Sequence, residues 1–189
     1  RLGEPIGKQD QYIAAVGGVS TFTFRDDESV EVERLAMADI TRSQLEDNLL
    51  LFYTGVKRSA SAALASEGSM NLTPGKQVDN LSETRAIGYE TRDILLNGDM
   101  TAFGQILTNQ WNLKYQRQPS ALHDEIDLWI QSGIAAGAQG GKLVGAGGGG
   151  FLLFYADRKT DLRRAMAEIG LPEVGFGVDY EGSSVTIAR

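Results

Sequence analysis

The 189-residue chain contains no cysteine, which excludes disulfide bonds, thiolate metal sites and a cysteine nucleophile. Its formal net charge of −7 at pH 7 argues against binding to the phosphate backbone of nucleic acids, because such proteins present a basic surface. The longest strongly apolar runs, LLLFY and FLLFY, have the length of a strand, far short of the roughly 20 residues of a membrane-spanning helix. We therefore expect neither nucleic acid nor a membrane among the partners, and the absence of cysteine fits the reducing cytoplasm.

The first 42 residues predict a helix followed by a β-hairpin. GKQDQYIAAVGG (7–18) has helical spacing of its apolar residues and ends in two glycines, which commonly terminate helices. Polar and apolar residues then alternate in VSTFTF and in SVEVER, as expected of two paired strands. A helix and a hairpin are too small to fold alone. Because the chain also begins with Arg1 and not Met, we expect residues 1–42 to be part of a larger domain and the chain to be the C-terminal portion of a longer protein.

The remainder, residues 43–189, predicts a second domain of the α+β class. NLLLFYTG (48–55) reads as a buried strand, and helices follow from about residue 80 to 115, broken near NGDM where Asp99 serves as an N-cap. Another helix precedes the glycine-rich segment 145–150 and has an apolar stripe formed by Leu122, Ile126, Trp129, Ile130 and Ile134. The strand FLLFYA follows the glycines directly. A helix ending at Gly170 and a final strand, turn and strand complete the order. This succession predicts a ferredoxin-like fold, with helices on one face of an antiparallel sheet.

The segment KLVGAGGGGFLLF places four consecutive glycines directly before an apolar strand. Glycine costs backbone entropy, so such a run needs a reason that a residue with a Cβ could not satisfy. A flexible linker is excluded, because linkers are flanked by polar, unpatterned sequence and these glycines are framed by apolar residues. Two interpretations remain open at this point: a tight structural turn, or a loop whose backbone N–H groups approach a phosphate.

Two further stretches bring charged residues together. GKQDQY places Lys8, Asp10 and Gln11 within one helical turn, where a carboxylate can orient and deprotonate a hydroxyl; a solvated helix start is the alternative. TGVKRSA places Lys57 and Arg58 after a strand and at a helix N-terminus, where cations are locally unfavourable unless an anion binds there; an exposed, ion-paired couple is the alternative.

The single histidine, His123, is expected to face solvent or to cap a helix.

Taken together, GKQDQYIAAVGG, LLLFYTGVKRSA and GAQGGKLVGAGGGGFLLF resemble the C-terminal half of the GHMP-family small-molecule kinases. Within that family the chain is most similar to the D-glycero-D-manno-heptose 7-phosphate kinases. The resemblance covers nearly the whole chain. It implies that residues 1–42 are a remnant of an N-terminal domain of ribosomal-protein-S5-like fold and that residues 43–189 are the family's ferredoxin-like C-terminal domain.

The resemblance also implies roles for individual residues. Asp10 matches the aspartate that many members use as catalytic base, with Lys8, Gln9 and Gln11 beside it at the sugar. The third glycine-rich motif of the family corresponds to an active-site loop with the following members: Gly145, Ala146, Gly147, Gly148 and Gly149. From charge and position, Lys57, Arg58 and Lys142 are candidates for binding the substrate's own phosphate. No metal ligand is expected within this chain.

The implied reaction is transfer of the γ-phosphoryl group of ATP to the anomeric hydroxyl of a heptose 7-phosphate, in the cytoplasm, for activated-heptose synthesis. The family's main ATP-binding loop, Pro-x-x-x-Gly-Leu-Gly-Ser-Ser-Ala, is absent from this sequence. We therefore expect the ATP and Mg²⁺ elements upstream of Arg1, and this chain alone to be inactive without that N-terminal half. Another sugar or alcohol acceptor (fucose-like or mevalonate-like), a non-catalytic sugar-phosphate-binding domain and a homodimer remain alternatives.

Overall fold

Residues 8–56, 72–117, 122–145 and 149–185 are described by a computed structural model of the protein. Their helices and strands, in chain order, are α1 (Gln9–Val16), β1 (Ser20–Phe24), β2 (Val30–Arg34), α2 (Asp39–Asn48), β3 (Leu49–Tyr53), α3 (Pro74–Asn97), α4 (Met100–Arg117), α5 (His123–Ala135), β4 (Gly140–Val144), β5 (Phe151–Tyr155), α6 (Lys159–Glu168) and β6 (Glu173–Val174). None of the helices in these ranges is long and apolar enough to cross a bilayer.

The N-terminal helix and hairpin form as predicted. Gly17 caps the C-terminal end of α1 with a φ of 71°, a positive value that glycine adopts most easily. β1 and β2 pair antiparallel, with Phe22 opposite Val32. The ring of Tyr12 on α1 packs edge-on against Phe22 and Phe24, at centroid distances of 5.9 Å in both cases. These aromatic contacts fix the helix on one face of the hairpin.

A four-stranded antiparallel sheet organises the larger part of the molecule, in the order β4-β5-β3-β6. Of the four strands in this sheet, β3 comes first in the chain and β5 third, and these two are neighbours. β4 and β6, the second and fourth, lie at the edges. Together with the intervening helices, this order is the split β-α-β arrangement of ferredoxin-like folds. The α+β prediction is therefore confirmed.

Two strand predictions were wrong. The glycines do not follow a helix directly, because residues 140–144 form the edge strand β4. Glycine is rare in strands, which hid β4, but here α4 lies so close that a Cβ on Gly140 would stand 2.0 Å from the Gly104 carbonyl oxygen. Near the C-terminus β6 has only two residues, and residues 175–185 contain no strand. Residues 179–183 instead contact α1 and α2.

The main core lies between one face of the sheet and helices α5 and α6. Leu50 and Phe52 of β3 alternate inward with Leu152 and Phe154 of β5. The predicted stripe on α5 is confirmed, since Ile126 and Ile130 are fully buried against this face and Trp129 packs at its border. α6 completes the layer with Leu162 and Met166, each 0% exposed.

A second core forms on the opposite face, at the end of the sheet distant from the glycines. It joins Leu45 of α2, Leu95 at the end of α3, and Phe103 of α4 to Tyr155 of β5. The turn between α3 and α4 is capped as predicted, because the Asp99 carboxylate accepts the N–H of Ala102 at 3.0 Å. α4 then continues along the edge strand β4, where the Gly141 N–H donates to the Thr108 hydroxyl at 3.0 Å.

Candidate active site

The glycine-rich segment is the connection between strands β4 and β5. The last strand pair is Val144 opposite Phe151, so residues 145–150 form a six-residue hairpin loop. Gly145, Gly149 and Gly150 have φ values of 106°, 132° and 116°, which side-chain-bearing residues rarely adopt. Backbone conformation alone therefore requires glycine at three of these positions. The predicted loop residues Ala146, Gly147 and Gly148 lie outside the described residues.

Thr54, at the end of strand β3, holds the far end of the loop. Its hydroxyl accepts the N–H of Gly150 at 3.1 Å and donates to the carbonyl of the same residue at 2.9 Å. The neighbouring Gly149 lies directly on Val56, since a Cβ at that glycine would stand 2.7 Å from the Val56 Cβ. The chain that leads into Lys57 thus starts beside the glycine loop, although Lys57 and Arg58 themselves lie outside the described residues.

Two lysines hold the near end of the loop. Lys114, in the last turn of α4, donates from its Nζ to the carbonyl oxygen of Gly145 at 2.6 Å. Lys142 projects from β4 just before the loop, and its Nζ donates to the Gln110 Oε1 at 2.7 Å. Lys142, a sequence candidate for binding the substrate's phosphate, thus lies beside the near end of the loop. Lys114, Gln110 and Thr54 were missed, because lysine near a helix end and threonine after a strand are ordinary surface features.

The electrostatics of Lys142 are unusual for a lysine. Burial lowers the pKa of its ammonium, and the positive charge of Lys114 lowers that pKa further. Among the residues that the structure describes, no carboxylate forms an ion pair with Lys142. The start of the glycine loop thus carries two cations, one of them largely withdrawn from water.

The predicted catalytic group lies at the start of α1. Lys8, Gln9, Asp10 and Gln11 are all exposed. Within the described ranges the Asp10 carboxylate makes no hydrogen bond and no ion pair, so it is open to a ligand. Gln9 borders a groove of about 730 Å³ between the hairpin and α3, whose other wall includes Arg85 and Tyr89.

The C-terminal segment 179–183 holds the other end of α1. The Gly18 N–H donates to the carbonyl of Asp179 at 2.6 Å, and the Ser183 N–H donates to that of Ala15 at 3.2 Å. Gly17 and Gly182 touch backbone to backbone, because a Cβ on Gly17 would lie 2.5 Å from the Gly182 nitrogen. The position of α1 thus depends on segment 179–183.

These contacts sort the predicted residues into two groups. Lys142, Gly145 and Gly149 come together around the glycine loop. Residues 8–11 lie at the start of α1, a helix that contacts the hairpin through Tyr12 and the C-terminal segment through Ala15 and Gly18. The described part of the chain also contains no group of three His, Asp or Glu side chains that could hold a metal ion.

Comparison with known proteins assigns this architecture. Residues 91–170 match the family model "GHMP kinases C terminal". This part of the chain is a GHMP kinase C-terminal domain. The match runs from the end of α3 to the end of α6, so it includes Lys114, Lys142 and both ends of the glycine loop.

Alignments with individual related proteins cover more of the chain than the family model does. The D-glycero-alpha-D-manno-heptose 7-phosphate kinase of Campylobacter jejuni is 28% identical over 181 residues, covering 95% of this chain and 52% of that protein. The L-fucokinase/L-fucose-1-P guanylyltransferase of Bacteroides fragilis is 32% identical over 157 residues, covering 79% of this chain and 16% of that protein. The chain thus spans about half of the first relative and a smaller share of the second.

A solved structure gives the same fold. The crystal structure of a D-glycero-D-manno-heptose 1-phosphate kinase from Bacteroides thetaiotaomicron aligns with a TM-score of 0.62 at 24% identity. The alignment covers 97% of this chain and 50% of that one, so both α1 with its hairpin and the GHMP kinase C-terminal domain belong to the shared architecture.

Proposed function

We propose that this chain is part of an ATP-dependent sugar kinase. The observation that carries the proposal is the glycine loop of a GHMP kinase C-terminal domain, held between Thr54 and two lysines, in a chain that also presents the open carboxylate of Asp10. Phosphoryl transfer needs little covalent chemistry from the protein; it needs positioned groups that orient the acceptor and stabilise charge. Loop backbone and lysines are suited to the charge, and Asp10 to the acceptor.

In the proposed reaction Asp10 accepts the proton of the acceptor hydroxyl while the hydroxyl oxygen forms a bond to phosphorus. The bond between that phosphorus and the leaving ADP oxygen breaks at the same time. Lys8, Gln9 and Gln11 lie within one turn of Asp10 and would position the sugar. ATP would supply the phosphoryl group and Mg²⁺ would offset its negative charge. Backbone N–H groups of the glycine loop, other than that of Gly150, would stabilise charge on the transferring group.

Replacement of Asp10 tests its role. In the full-length protein we expect Asp10→Asn to lower kcat about 100-fold or more while KM changes little, because a positioned general base contributes roughly 10²–10⁴ in rate. Asp127→Asn, at an exposed position on α5, is the matched control and should retain activity. A coupled ADP-release assay measures both variants. Near-normal turnover of Asp10→Asn would refute the assigned role.

For the acceptor we propose a heptose 7-phosphate, phosphorylated at its anomeric hydroxyl in the cytoplasm for activated-heptose synthesis. The name of the Campylobacter jejuni relative supports this choice, whereas the Bacteroides fragilis relative favours fucose. An acceptor panel of heptose 7-phosphate, heptose 1-phosphate, fucose, galactose and mevalonate discriminates among these. The highest kcat/KM should belong to heptose 7-phosphate. Binding of a sugar phosphate without turnover of any acceptor would support a non-catalytic domain instead.

A further inference from the structure

Lys142 occupies a position where an isolated cation is costly. It lies opposite Leu153 in the β4–β5 register and thus on the same sheet face as Leu51, Tyr53 and Phe151, all half-buried. Among the described residues its ammonium has one hydrogen-bond partner, the uncharged amide of Gln110. A buried charge without an opposite charge is destabilising, so the fold retains this lysine at a cost.

The partner amide is held in a fixed orientation. The Gln110 Nε2 donates to the Thr91 hydroxyl at 3.1 Å, and that hydroxyl donates to the Ile87 carbonyl at 2.7 Å. The amide oxygen of Gln110 therefore faces Lys142 and occupies one of its three N–H donors. A neutral partner orients the ammonium without cancelling its charge.

A second cation lies close by. Lys114, one turn after Gln110 on α4, reaches the carbonyl of Gly145 and repels Lys142 strongly enough to lower its pKa. Two cations near each other, one of them buried, are expected where an anion binds between them.

We propose that Lys142 and Lys114 form a phosphate-binding site at the start of the glycine loop, with Gln110 as the residue that positions Lys142. The identity of the phosphate rests on the proposed function: it belongs either to the acceptor sugar or to the group being transferred from ATP. Inorganic phosphate shares the chemistry of both and serves as the probe.

Three variants of the full-length protein test the site. Lys142→Met removes the buried charge, and Lys114→Met removes the second one. Gln110→Glu keeps both lysines but supplies a carboxylate beside Lys142; it should weaken phosphate binding while the melting temperature is kept or raised. Lys76→Met, at an exposed position on α3, is the control. We expect isothermal titration calorimetry to show phosphate binding at least tenfold weaker in all three variants and unchanged in the control.

Steady-state kinetics identifies the source of the phosphate. If it belongs to the acceptor, Lys142→Met raises KM for heptose 7-phosphate at least tenfold and leaves KM for the unphosphorylated heptose unchanged. If it is the transferred group, kcat falls with every acceptor and both KM values stay. Unchanged phosphate affinity in Lys142→Met and Gln110→Glu would overturn the site. Loss of phosphate binding in a protein that phosphorylates no sugar would retain the site and refute the kinase.

Discussion

At the scale of single residues, His123 shows how the tertiary structure determines the chemistry of a side chain. It is 2% exposed and lies between the rings of Trp111 and Tyr115, at centroid distances of 5.2 and 4.6 Å. The prediction offered two alternatives for His123, a solvent-facing side chain or a helix cap. The first was wrong, because the side chain is buried. α4 places two aromatic rings over the first turn of α5, and no local pattern of the sequence reports that contact.

The burial of His123 makes the stability depend on pH. Burial first, and then the charge of Lys114, lower the pKa of its imidazole, while Asp124 opposes them. As the pH falls through about 6.5, the ordinary pKa of histidine, the unfolded chain takes up this proton before the folded one does, so the stability of the fold decreases. Urea unfolding at pH 7.5 and pH 5.5 should show a larger loss for the wild type than for His123→Phe, which keeps a ring. Equal losses in the two proteins would contradict this account.

At the scale of elements, the C-terminal segment 179–183 acts as a support for α1. It bonds to both Ala15 and Gly18, and the Tyr180 hydroxyl donates to the Glu46 carboxylate on α2. Burial and Glu46 together raise the pKa of this hydroxyl to about 12, so it stays protonated and continues to donate. Segment 179–183 thus joins the helix that carries Asp10 to α2.

A pair of glycine variants tests this support. Gly182 has a φ of 70°, and a Cβ there would lie 2.6 Å from the Ala15 carbonyl oxygen, so Gly182→Ala should lower stability by about 1–3 kcal/mol. Gly177→Ala is the matched control, because nothing lies within 4 Å of its Cβ position, and it should change stability by less than about 0.5 kcal/mol. Urea denaturation and hydrogen exchange of the α1 amides provide the measurements. Equal effects of the two substitutions would show that the segment does not support α1.

Elements with their own periodicity were the predictable ones. The hairpin, the stripe on α5 and the Asp99 cap follow from local patterns. β4 did not, because Gly140 and Gly141 replace the residues that normally mark a strand and are required by contacts with α4 and Phe154. The same distinction holds for the residues around the glycine loop. Lys142 directly precedes the loop in the sequence, so its place beside the loop could be predicted. Lys114 and Thr54 contact the loop only because the fold brings them there.

At the scale of the whole molecule, the proposed division into residues 1–42 and 43–189 falls inside helix α2. Thr41 and Leu45 of this helix are buried, and Met37 just before it joins the same core as Leu95 and Phe103. We therefore propose that α2 and Met37 fold with the ferredoxin-like part. The structural boundary would then lie between β2 and Met37.

Two fragments test the boundary. A fragment of residues 36–189 keeps Met37 and all of α2, whereas a fragment of residues 43–189 loses the buried side chains of Met37 and Thr41. We expect the shorter fragment to be less stable by at least about 2 kcal/mol, because removal of a buried methionine alone costs that much. Urea unfolding followed by tryptophan fluorescence compares them. Identical midpoints would place α2 outside the cooperative unit.

The close approach of α4 to β4 has a further consequence for self-association. A free sheet edge can template pairing with another chain, and natural proteins shorten or cover such edges. Here the Thr108 hydroxyl takes the Gly141 N–H that an incoming strand would need, and the opposite edge is the two-residue strand β6. The four-stranded sheet of the described residues is thus blunted on both sides against aggregation by strand addition.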